Sequence, residues 1–305
     1  MLFNLLKARS VTLVAGLLLL LALPFFFISG PAAYSTALFR ALWDCGHLLF
    51  FAGLVVALNT AIDFSKVRAG ILLTLAVVIV GGLIELVQSY TGRDGSWQDL
   101  LRDLSGTWLG LFWVQKASVQ IWLGRIFAVL LLLPTLVPVY TAAQVQHRAE
   151  QKFPLLADFE TEVDLHSALG KVERSNTYHS RGNFSLKVQL TAEKYSRVAL
   201  VNFFNSWQGY SALLFDIYNP EPQPMDLQLR IDDVQHLMGD NLHSDRFNHS
   251  LHLEPGWNAI TISVAEIQHA PATRLLQLDA INSIIIYAVQ LPSEQSIYLD
   301  NLRLQ

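Results

Sequence analysis

Long apolar runs separated by short polar stretches fill the first 140 residues of the chain, and shorter alternating stretches fill the rest. A helix needs about 20 apolar residues to cross the hydrocarbon core of a bilayer. Five runs approach or exceed that length, at about Ser10–Ile28, Trp43–Ile62, Arg68–Tyr90, Asp99–Gln115 and Ile121–Tyr140. The fourth is short, but without it the neighbouring runs would give an awkward topology. This part therefore predicts a membrane α-helical bundle with about five transmembrane helices.

A different pattern begins near residue 153, where apolar and polar residues alternate in short stretches. The eight stretches are Phe184–Leu190, Arg197–Phe204, Ala212–Tyr218, Asp226–Ile231, Ser250–Leu253, Ala259–Val264, Ser283–Val289 and Ile297–Leu304. Alternation with β-branched and aromatic residues predicts half-buried strands. Glu254-Pro-Gly-Trp257 fits a type II turn between two of them. The pattern predicts a C-terminal antiparallel β-sandwich of the jelly-roll kind.

The polar stretch between the two patterns predicts a helical stalk that ends before Pro154. The chain thus divides into a transmembrane domain over residues 1–140, a stalk or linker over 141–152 and a β-sandwich over 153–305. The sandwich is long enough to bury its own core.

Basic residues in short loops predict the orientation, because cytoplasmic loops carry an excess of Lys and Arg. One side holds Lys7, Arg9, Lys66, Arg68 and Lys116, and the other holds Arg40, Arg93 and Arg102. We therefore expect a protein of the plasma (inner) membrane with a cytoplasmic N-terminus and a periplasmic or extracellular C-terminal domain. The first run could instead be a cleaved signal peptide, since small residues follow it at Pro31-Ala-Ala33.

Polar side chains occur near the ends of several apolar runs, where an intramembrane charge costs about 2.5–3.5 kcal/mol. They are Asp44, His47, Glu85, Gln88, Arg93, Asp99 and Asp103. The predicted topology brings all of them to the outer face of the membrane, and helical spacing puts the pairs on shared faces. Gly106 and Gly110 continue the last stripe and allow close helix approach. The set predicts a polar pocket, although Asp44 and Asp99 could also only cap first helical turns.

Three blocks of this region resemble the VanZ-like membrane proteins. The blocks are Asp44 to Gly53, Glu85 to Gln88 with Arg93, and Asp99 to Gly106. Asp103 stands where that family usually has Asn, which adds a second carboxylate. The resemblance covers about residues 10–140 and implies cell-envelope biology, with a possible link to glycopeptide-antibiotic resistance, but it implies no particular reaction.

The C-terminal half resembles galactose-binding-like jelly rolls of the carbohydrate-binding-module kind. The resemblance rests on Asp158-Phe-Glu160, Gly182 to Lys187, Trp207 to Asp216, Pro255 to Asn258 and Ile297 to Leu302. It implies sugar binding by stacked aromatic rings. It also implies a possible structural calcium ion, which here would involve Glu160 and Asp300; no other cofactor is predicted.

The candidate sugar contacts are aromatic, charged and amide residues near the predicted strands. They are Trp207, Tyr210, Arg230, Asp232, Asp233, Arg246, Phe247, Asn248 and Trp257. Arg230 and Asp232 would share a sheet face if their strand extends that far, and the loop-like segment Asp232–His249 would line its edge. The three candidates Trp207, Tyr210 and Trp257 could equally be packing residues. We expect His236, His243, His249 and His252 to be solvated loop residues, because their spacing matches no strong metal motif.

Composition narrows the choice of function. A net charge of −4 without a basic tract makes nucleic acid an unsuitable partner. Cys45 is the sole cysteine, which excludes an intramolecular disulfide and a four-cysteine zinc site. We expect a membrane protein that binds an envelope glycan or a lipid-linked sugar. The alternative is a membrane enzyme acting on a lipid-linked phosphate or sugar, with His47 and Glu85 as candidate catalytic residues. A transporter is disfavoured by the lack of an internal repeat.

Overall fold

The computed structural model describes residues 20–21, 35–90 and 97–305, without the side chains of 88–90. The chain divides into two compact units, Met1–Tyr140 and Thr141–Gln305. The helices of the first unit are α1 (Ala37–Leu58), α2 (Val67–Tyr90), α3 (Trp97–Val114) and α4 (Val119–Leu130), and α5 (Leu133–Lys152) continues into the second unit. Because α5 runs to Lys152, the predicted stalk is helical.

The start of α1 differs from the prediction. The Thr36 side chain accepts a hydrogen bond from Phe39 N at 3.2 Å and caps the helix, which therefore begins at Ala37 rather than Trp43. Asp44 consequently lies two turns inside the helix, and its expected place in a first turn is wrong. Asp99 does lie in the first turn of α3.

Two helices, α1 and the Val67–Val87 part of α2, are long and apolar enough to cross a membrane. The pair α4 and α5 qualifies only as one bent span, with a 43° break between its halves. Within the described residues this gives two or three candidate spans, and five are not confirmed. The 18-residue helix α3 is not a candidate; it carries Asp99, Arg102 and Asp103. The predicted first span lies outside the described residues, apart from Leu20 and Leu21.

Glycines allow α3 to approach α1 closely. A Cβ atom built on Gly106 would lie 2.3 Å from the Leu48 carbonyl oxygen, and one on Gly110 would lie 2.7 Å from Val55 Cβ. No side chain fits at either distance, so the two backbones are nearer than any other residue would permit. The expectation for this Gly-x-x-x-Gly pair is confirmed.

The second unit is an antiparallel two-sheet sandwich. Its strands are β1 (Leu155–Ala157), β2 (Ala168–Leu169), β3 (Val172–Ser175), β4 (Ser185–Leu190), β5 (Tyr195–Leu200), β6 (Ala212–Asn219), β7 (Met225–Asp233), β8 (Phe247–Leu253), β9 (Gly256–Ser263), β10 (Ile281–Val289) and β11 (Gln295–Leu304). The first sheet has the order β3-β4-β11-β6-β9, with β1 also paired to β11, and the second has the order β2-β5-β10-β7-β8. The last strand lies between β4 and β6, and the chain crosses repeatedly from one sheet to the other, for example from β6 to β7 and from β8 to β9, which is jelly-roll connectivity.

Alternating residues of both sheets form one apolar core. It includes Leu186, Trp207, Phe215, Ile231 and Leu299, all with 1% exposure or less. The opposite residues of each strand face outward because successive side chains alternate between the two faces of a sheet. The core therefore fixes which side chains are available on the outer faces.

All eight predicted strands are present; the predicted Arg197–Phe204 is β5, which starts two residues earlier at Tyr195 and ends four residues earlier at Leu200. The sequence did not predict β1, β2 and β3, nor the short helices α6 (Val234–Met238) and α7 (Val264–His269). The predicted loop Asp232–His249 is also corrected. It contains the end of β7, α6, a 3-10 turn at His243–Asp245 and the start of β8.

Candidate functional site

The polar side chains of α1 and α3 form one connected network, called here the His47 network. His47 Nδ1 lies 2.8 Å from Asp103 Oδ1, and its Nε2 lies 4.0 Å from Asp99 Oδ2. All three residues are buried. The two carboxylates are one helical turn apart on α3, so both ring nitrogens of the histidine face a carboxylate.

Arg102 completes the network, although the sequence analysis treated it only as a loop charge. Its guanidinium lies 2.9 Å from Asp44 Oδ2 and also pairs with Asp99. The structure thus brings together Asp44, His47, Asp99 and Asp103 as expected and adds a cation. Its position three residues after Asp99, inside the same apolar run, was the available signal.

The predicted block that contains Glu85 lies on α2, next to the His47 network. A Cβ atom on Gly81 would lie 3.1 Å from Asp103 Oδ2, so this helix passes directly beside the network. Glu85, half-buried, lies one turn further along the same helix face. The side chain of Gln88 and the whole of Arg93 lie outside the described residues.

The opposite ends of these helices carry a different set of residues. The loop 59–65 and residues 114–116 line one cavity of about 730 Å³. Lys66 and Lys116 belong to these two connections, so basic side chains gather at the end of the α1–α3 pair away from the His47 network. Arg125 lies near the same end, where it donates to the Phe112 and Gln115 carbonyls of α3 at 3.0 Å each.

Four of the expected sugar contacts are buried in the sandwich. Trp207 and Asp233 have no exposed surface, Asp232 is 1% exposed and Phe247 is 6% exposed. Their side chains are not available to a ligand, so these four expectations are corrected. Tyr210 is only partly buried, but it packs against the core and against the ring of Phe153 at 5.4 Å.

Asp233 belongs instead to a buried ionic cluster around Arg274. The Arg274 guanidinium binds both Asp233 oxygens, at 2.5 and 2.8 Å, and both Asp245 oxygens, at 2.6 and 2.9 Å. Burial would raise the pKa of Asp233, but hydrogen bonds from Arg274 and from two backbone amides lower it. His236 is also buried and faces Asp245 at 3.2 Å, so its expected place as a solvated loop residue is wrong. The cluster ties β7 to two distant loops.

The outer face of the second sheet carries the remaining polar candidates. Arg230 and Asp232 lie on one face of β7, as expected, and Arg230 Nε donates to Asp232 Oδ2 at 2.7 Å. Asn248 lies opposite Arg230 on β8 and accepts a hydrogen bond from Arg246 Nε at 2.9 Å. These four residues therefore form one patch.

Two tyrosines on the same face were not predicted. Tyr195 on β5 and Tyr287 on β10 have ring centroids 4.9 Å apart, and Tyr195 is 42% exposed. Tyr287 lies opposite Arg197 on one neighbouring strand and Gln228 on the other. The alternation of β5 and β10 indicates that both tyrosines face outward. It does not indicate that these two strands are neighbours, so the pair could not be predicted from the sequence.

The outer face of the first sheet carries a second aromatic group. Trp257, 41% exposed, contacts Tyr218 at 5.2 Å, and Tyr178 stacks on Tyr218 at 4.0 Å. Tyr178 belongs to a loop that also binds this face through Ser180, whose hydroxyl donates to Asp216 at 2.7 Å. The loop therefore occupies much of the surface beside Trp257.

The residues suggested for calcium are engaged by backbone amides. Glu160 Oε1 accepts hydrogen bonds from Asn183 N and Phe184 N, and Asp300 Oδ2 accepts from Ser180 N and Arg181 N. Burial raises the pKa of Asp300. Calcium needs six to eight oxygen ligands, and no group of three or more metal-binding side chains occurs in the described part of the chain. Backbone N–H groups thus bind both carboxylates in this structure, and the calcium site stays a prediction.

Fold and site together define a helical region with candidate membrane spans joined to a jelly-roll sandwich. No family model and no curated protein matches the chain, so the resemblance to VanZ-like proteins stays a prediction. Solved structures with similarity include a family 11 carbohydrate-binding module from Clostridium thermocellum in complex with a β-1,3-1,4-mixed-linked tetrasaccharide (14% identity, 45% of this chain, 82% of that chain, TM-score 0.34). Others are the non-crystalline-cellulose-specific module CBM28 (14%, 50%, 93%, 0.35) and the agarase AgWH50C (17%, 50%, 26%, 0.37).

Proposed function

We propose that the protein is a membrane-anchored glycan-binding protein whose sugar site is the outer face of the second sheet. The observation that carries this proposal is the pair of the exposed Tyr195 and the half-buried Tyr287, with ring centroids 4.9 Å apart, on neighbouring strands of the sheet. A phenol ring offers an apolar surface for a sugar ring and a hydroxyl for its polar groups. The ligand class is an envelope glycan or a lipid-linked sugar.

Hydrogen-bonding side chains surround the two rings. Arg197 and Gln228 flank Tyr287, and Ser250 follows Gln228 along the same row of outward positions. Ser250 donates to Gln228 at 3.1 Å, which holds the amide in place. A few positioned polar groups around apolar surface are typical of small-ligand sites.

The rival surface is the exposed Trp257 on the first sheet. The Tyr178 loop competes for that face, since Tyr178 stacks on Tyr218 with only 18° between the rings. A sugar bound there would have to share Tyr218 with that loop. The second sheet is therefore the favoured face, and Trp257 becomes the comparison in the test.

The test uses full-length protein in nanodiscs on an array of neutral and acidic envelope glycans, followed by titration with the best ligand. Tyr195→Ala and Tyr287→Ala should each weaken binding roughly tenfold, because losing a large aromatic contact costs about 1.5 kcal/mol. Trp257→Ala is the matched control and should bind like wild type. Dependence on Trp257 alone would move the site to the first sheet, and a folded protein that binds no glycan would refute the proposal.

A second candidate, an enzyme in the membrane half, is favoured by the buried pair of His47 and Asp103. A carboxylate 2.8 Å from Nδ1 orients the imidazole, and the Asp99 carboxylate, 4.0 Å from Nε2, would stabilise a proton that this nitrogen takes up as a general base. An Asn carbonyl at this position could accept the same hydrogen bond but would not stabilise the charged imidazole, so the carboxylate of Asp103 supports this candidate. The substrate class would be a lipid-linked phosphate or sugar. The link to glycopeptide-antibiotic response stays a prediction.

The enzyme hypothesis is tested with full-length protein in nanodiscs and a polyprenyl diphosphate carrying a disaccharide. The measurement is the release of phosphate or sugar by mass spectrometry. His47→Gln should lower any turnover at least a hundredfold and Asp103→Asn at least tenfold. Gly46→Ala is the control on the same helix, since a Cβ there meets nothing within 4 Å. Wild-type protein without turnover would remove this candidate.

A further inference from the structure

The outer face of the second sheet carries more positive than negative charge. It has two carboxylates: Asp226 pairs with His252 at 2.7 Å, and Asp232 accepts hydrogen bonds from Arg230 at 2.7 Å and from Asn282 and Ser283 at 2.8 Å each. Asp232 is also 1% exposed. It pairs directly with Arg230, and its single negative charge does not balance both Arg230 and Arg246.

Arg246 and Arg197 are the surplus cations. Neither forms an ion pair with any residue in the portions of the chain that the structure describes. Arg246 donates from Nε to the neutral Asn248, and its charge lies close enough to interact with Arg230, Asp232 and the Tyr287 and Tyr195 hydroxyls. Burial and the nearby charge of Arg230 lower the pKa of Arg246. A negative group beside this guanidinium would relieve both effects.

The position of these cations relative to the two tyrosines indicates the ligand. Arg197 lies directly opposite Tyr287 in the β5–β10 pairing. Arg246 approaches the same region from the start of β8. The two guanidiniums therefore reach the aromatic pair on the same face of the sheet, one from the β5 side and the other from the β8 side. A neutral glycan would leave both charges partly desolvated and unpaired, which costs binding free energy.

Resting on the proposed function, we infer that the glycan bound at this face is anionic and that Arg197 and Arg246 bind its acidic groups. Guanidinium recognises carboxylate and phosphate in the same bidentate way. The shared chemistry is therefore an oxyanion on a sugar, whether a uronic acid or a sugar phosphate. Neutral cellulose-like chains would be poor ligands.

The experiment compares oligogalacturonate with its carboxyl-reduced neutral counterpart, using the full-length protein in nanodiscs. The two probes share the same sugar backbone and differ only in the acid group. The acidic form should bind at least tenfold more tightly, and its affinity should fall as salt rises. A polyglycerol phosphate carrying sugars is the third probe and distinguishes phosphate from carboxylate as the source of the charge.

Arg197→Gln and Arg246→Gln should each weaken binding of the acidic probe about tenfold and leave the neutral probe unchanged. Arg181→Gln, the same charge change in an exposed loop of the first sheet, is the control and should have no effect. Equal losses in all three variants would mean unspecific charge attraction and overturn the inference. Equal affinity for acidic and neutral forms, still sensitive to Tyr195→Ala, would overturn it while leaving the proposed function intact; no binding of any probe would refute both.

Discussion

Single residues with buried charge decide how the sandwich responds to pH. Asp233 is completely buried and bound by Arg274, and hydrogen bonds lower the pKa values of both Asp233 and Asp245. A carboxylate whose folded pKa is below its unfolded value stabilises the fold above the unfolded pKa of about 3.9. That stability is lost as pH falls through the folded pKa. The Arg274 cluster therefore contributes fully at neutral pH and fades below about pH 4.

Removing the arginine should expose this contribution. In a fragment covering 141–305, Arg274→Gln should lower the free energy of unfolding by about 3 kcal/mol at pH 7, because it leaves a buried carboxylate unpaired. The difference from wild type should shrink below about pH 4, once that carboxylate is protonated. Urea unfolding followed by the fluorescence of the two tryptophans, the buried Trp207 and the exposed Trp257, measures both.

The control for this prediction is Lys187→Gln, which removes an exposed ion pair with Glu173 at 2.7 Å. An exposed pair contributes about 1 kcal/mol at most. Equal losses in the two variants, or a constant Arg274→Gln effect down to pH 2, would show that the buried pair has no special role.

At the scale of elements, the contact between α1 and α3 determines whether the His47 network can form. His47 reaches Asp103 because Gly106 and Gly110 let the two helices approach to backbone contact. Leucine, valine and phenylalanine side chains form most of the rest of the contact between α1 and α3. At the glycine positions, side chains of that size would hold the two helices further apart. The glycines are therefore as much a part of the polar cluster as its charged residues.

Adding one methyl group should separate the helices. Gly106→Ala places a Cβ 2.3 Å from the Leu48 carbonyl, and such overpacking costs about 1–3 kcal/mol. We expect a lower midpoint of thermal unfolding, measured in detergent by alkylation of Cys45, the sole thiol. Gly46→Ala is the control on α1 and should be neutral or slightly stabilising, since alanine favours a helix. A stable Gly106→Ala protein would mean that the helices do not need this contact.

For the whole molecule, the main expectation is that the sandwich lies outside the cytoplasm. The basic residues Lys66 and Lys116 gather at one end of the α1–α3 pair, and the acidic His47 network lies toward the other. The positive-inside tendency then makes the lysine end cytoplasmic. The side of the membrane on which Thr141 lies depends on whether α3 and the α4–α5 pair each cross it.

A membrane-impermeant maleimide tests this orientation in intact spheroplasts carrying Cys45→Ser. Ser250→Cys, exposed on the sandwich, should react before lysis. Ser65→Cys, exposed in the loop after α1, should react only after lysis. The reverse pattern would invert the protein, and reaction of both before lysis would place the two residues on the same side.

The sequence by itself determined the local features. Alternation identified all eight long strands, because burial of one sheet face imposes a period of two on each strand separately. Pro255 and Gly256 identified a turn for the same local reason; Gly256 has φ +91°, which glycine adopts without strain. The apolar lengths of α1 and α2 were equally readable. The short strands β1 to β3 were missed because two to four residues carry too little periodicity.

Only the tertiary structure decided which side chains meet. Tyr195 and Tyr287 are 92 residues apart in the chain, and they form a pair because β10 lies beside β5. Arg274 and Asp233 are separated by 41 residues, yet they form an ion pair. Trp207 was a candidate sugar contact from the sequence, yet it lies in the core. A periodic pattern shows that a residue faces a core but not which strand lies beside it. The free-energy cost of closing a loop grows only slowly with its length, so local sequence does not favour near partners strongly over distant ones. The helices behave in the same way, because spacing put Asp99 and Asp103 on one face, and the close approach at Gly106 then selected His47 as their partner.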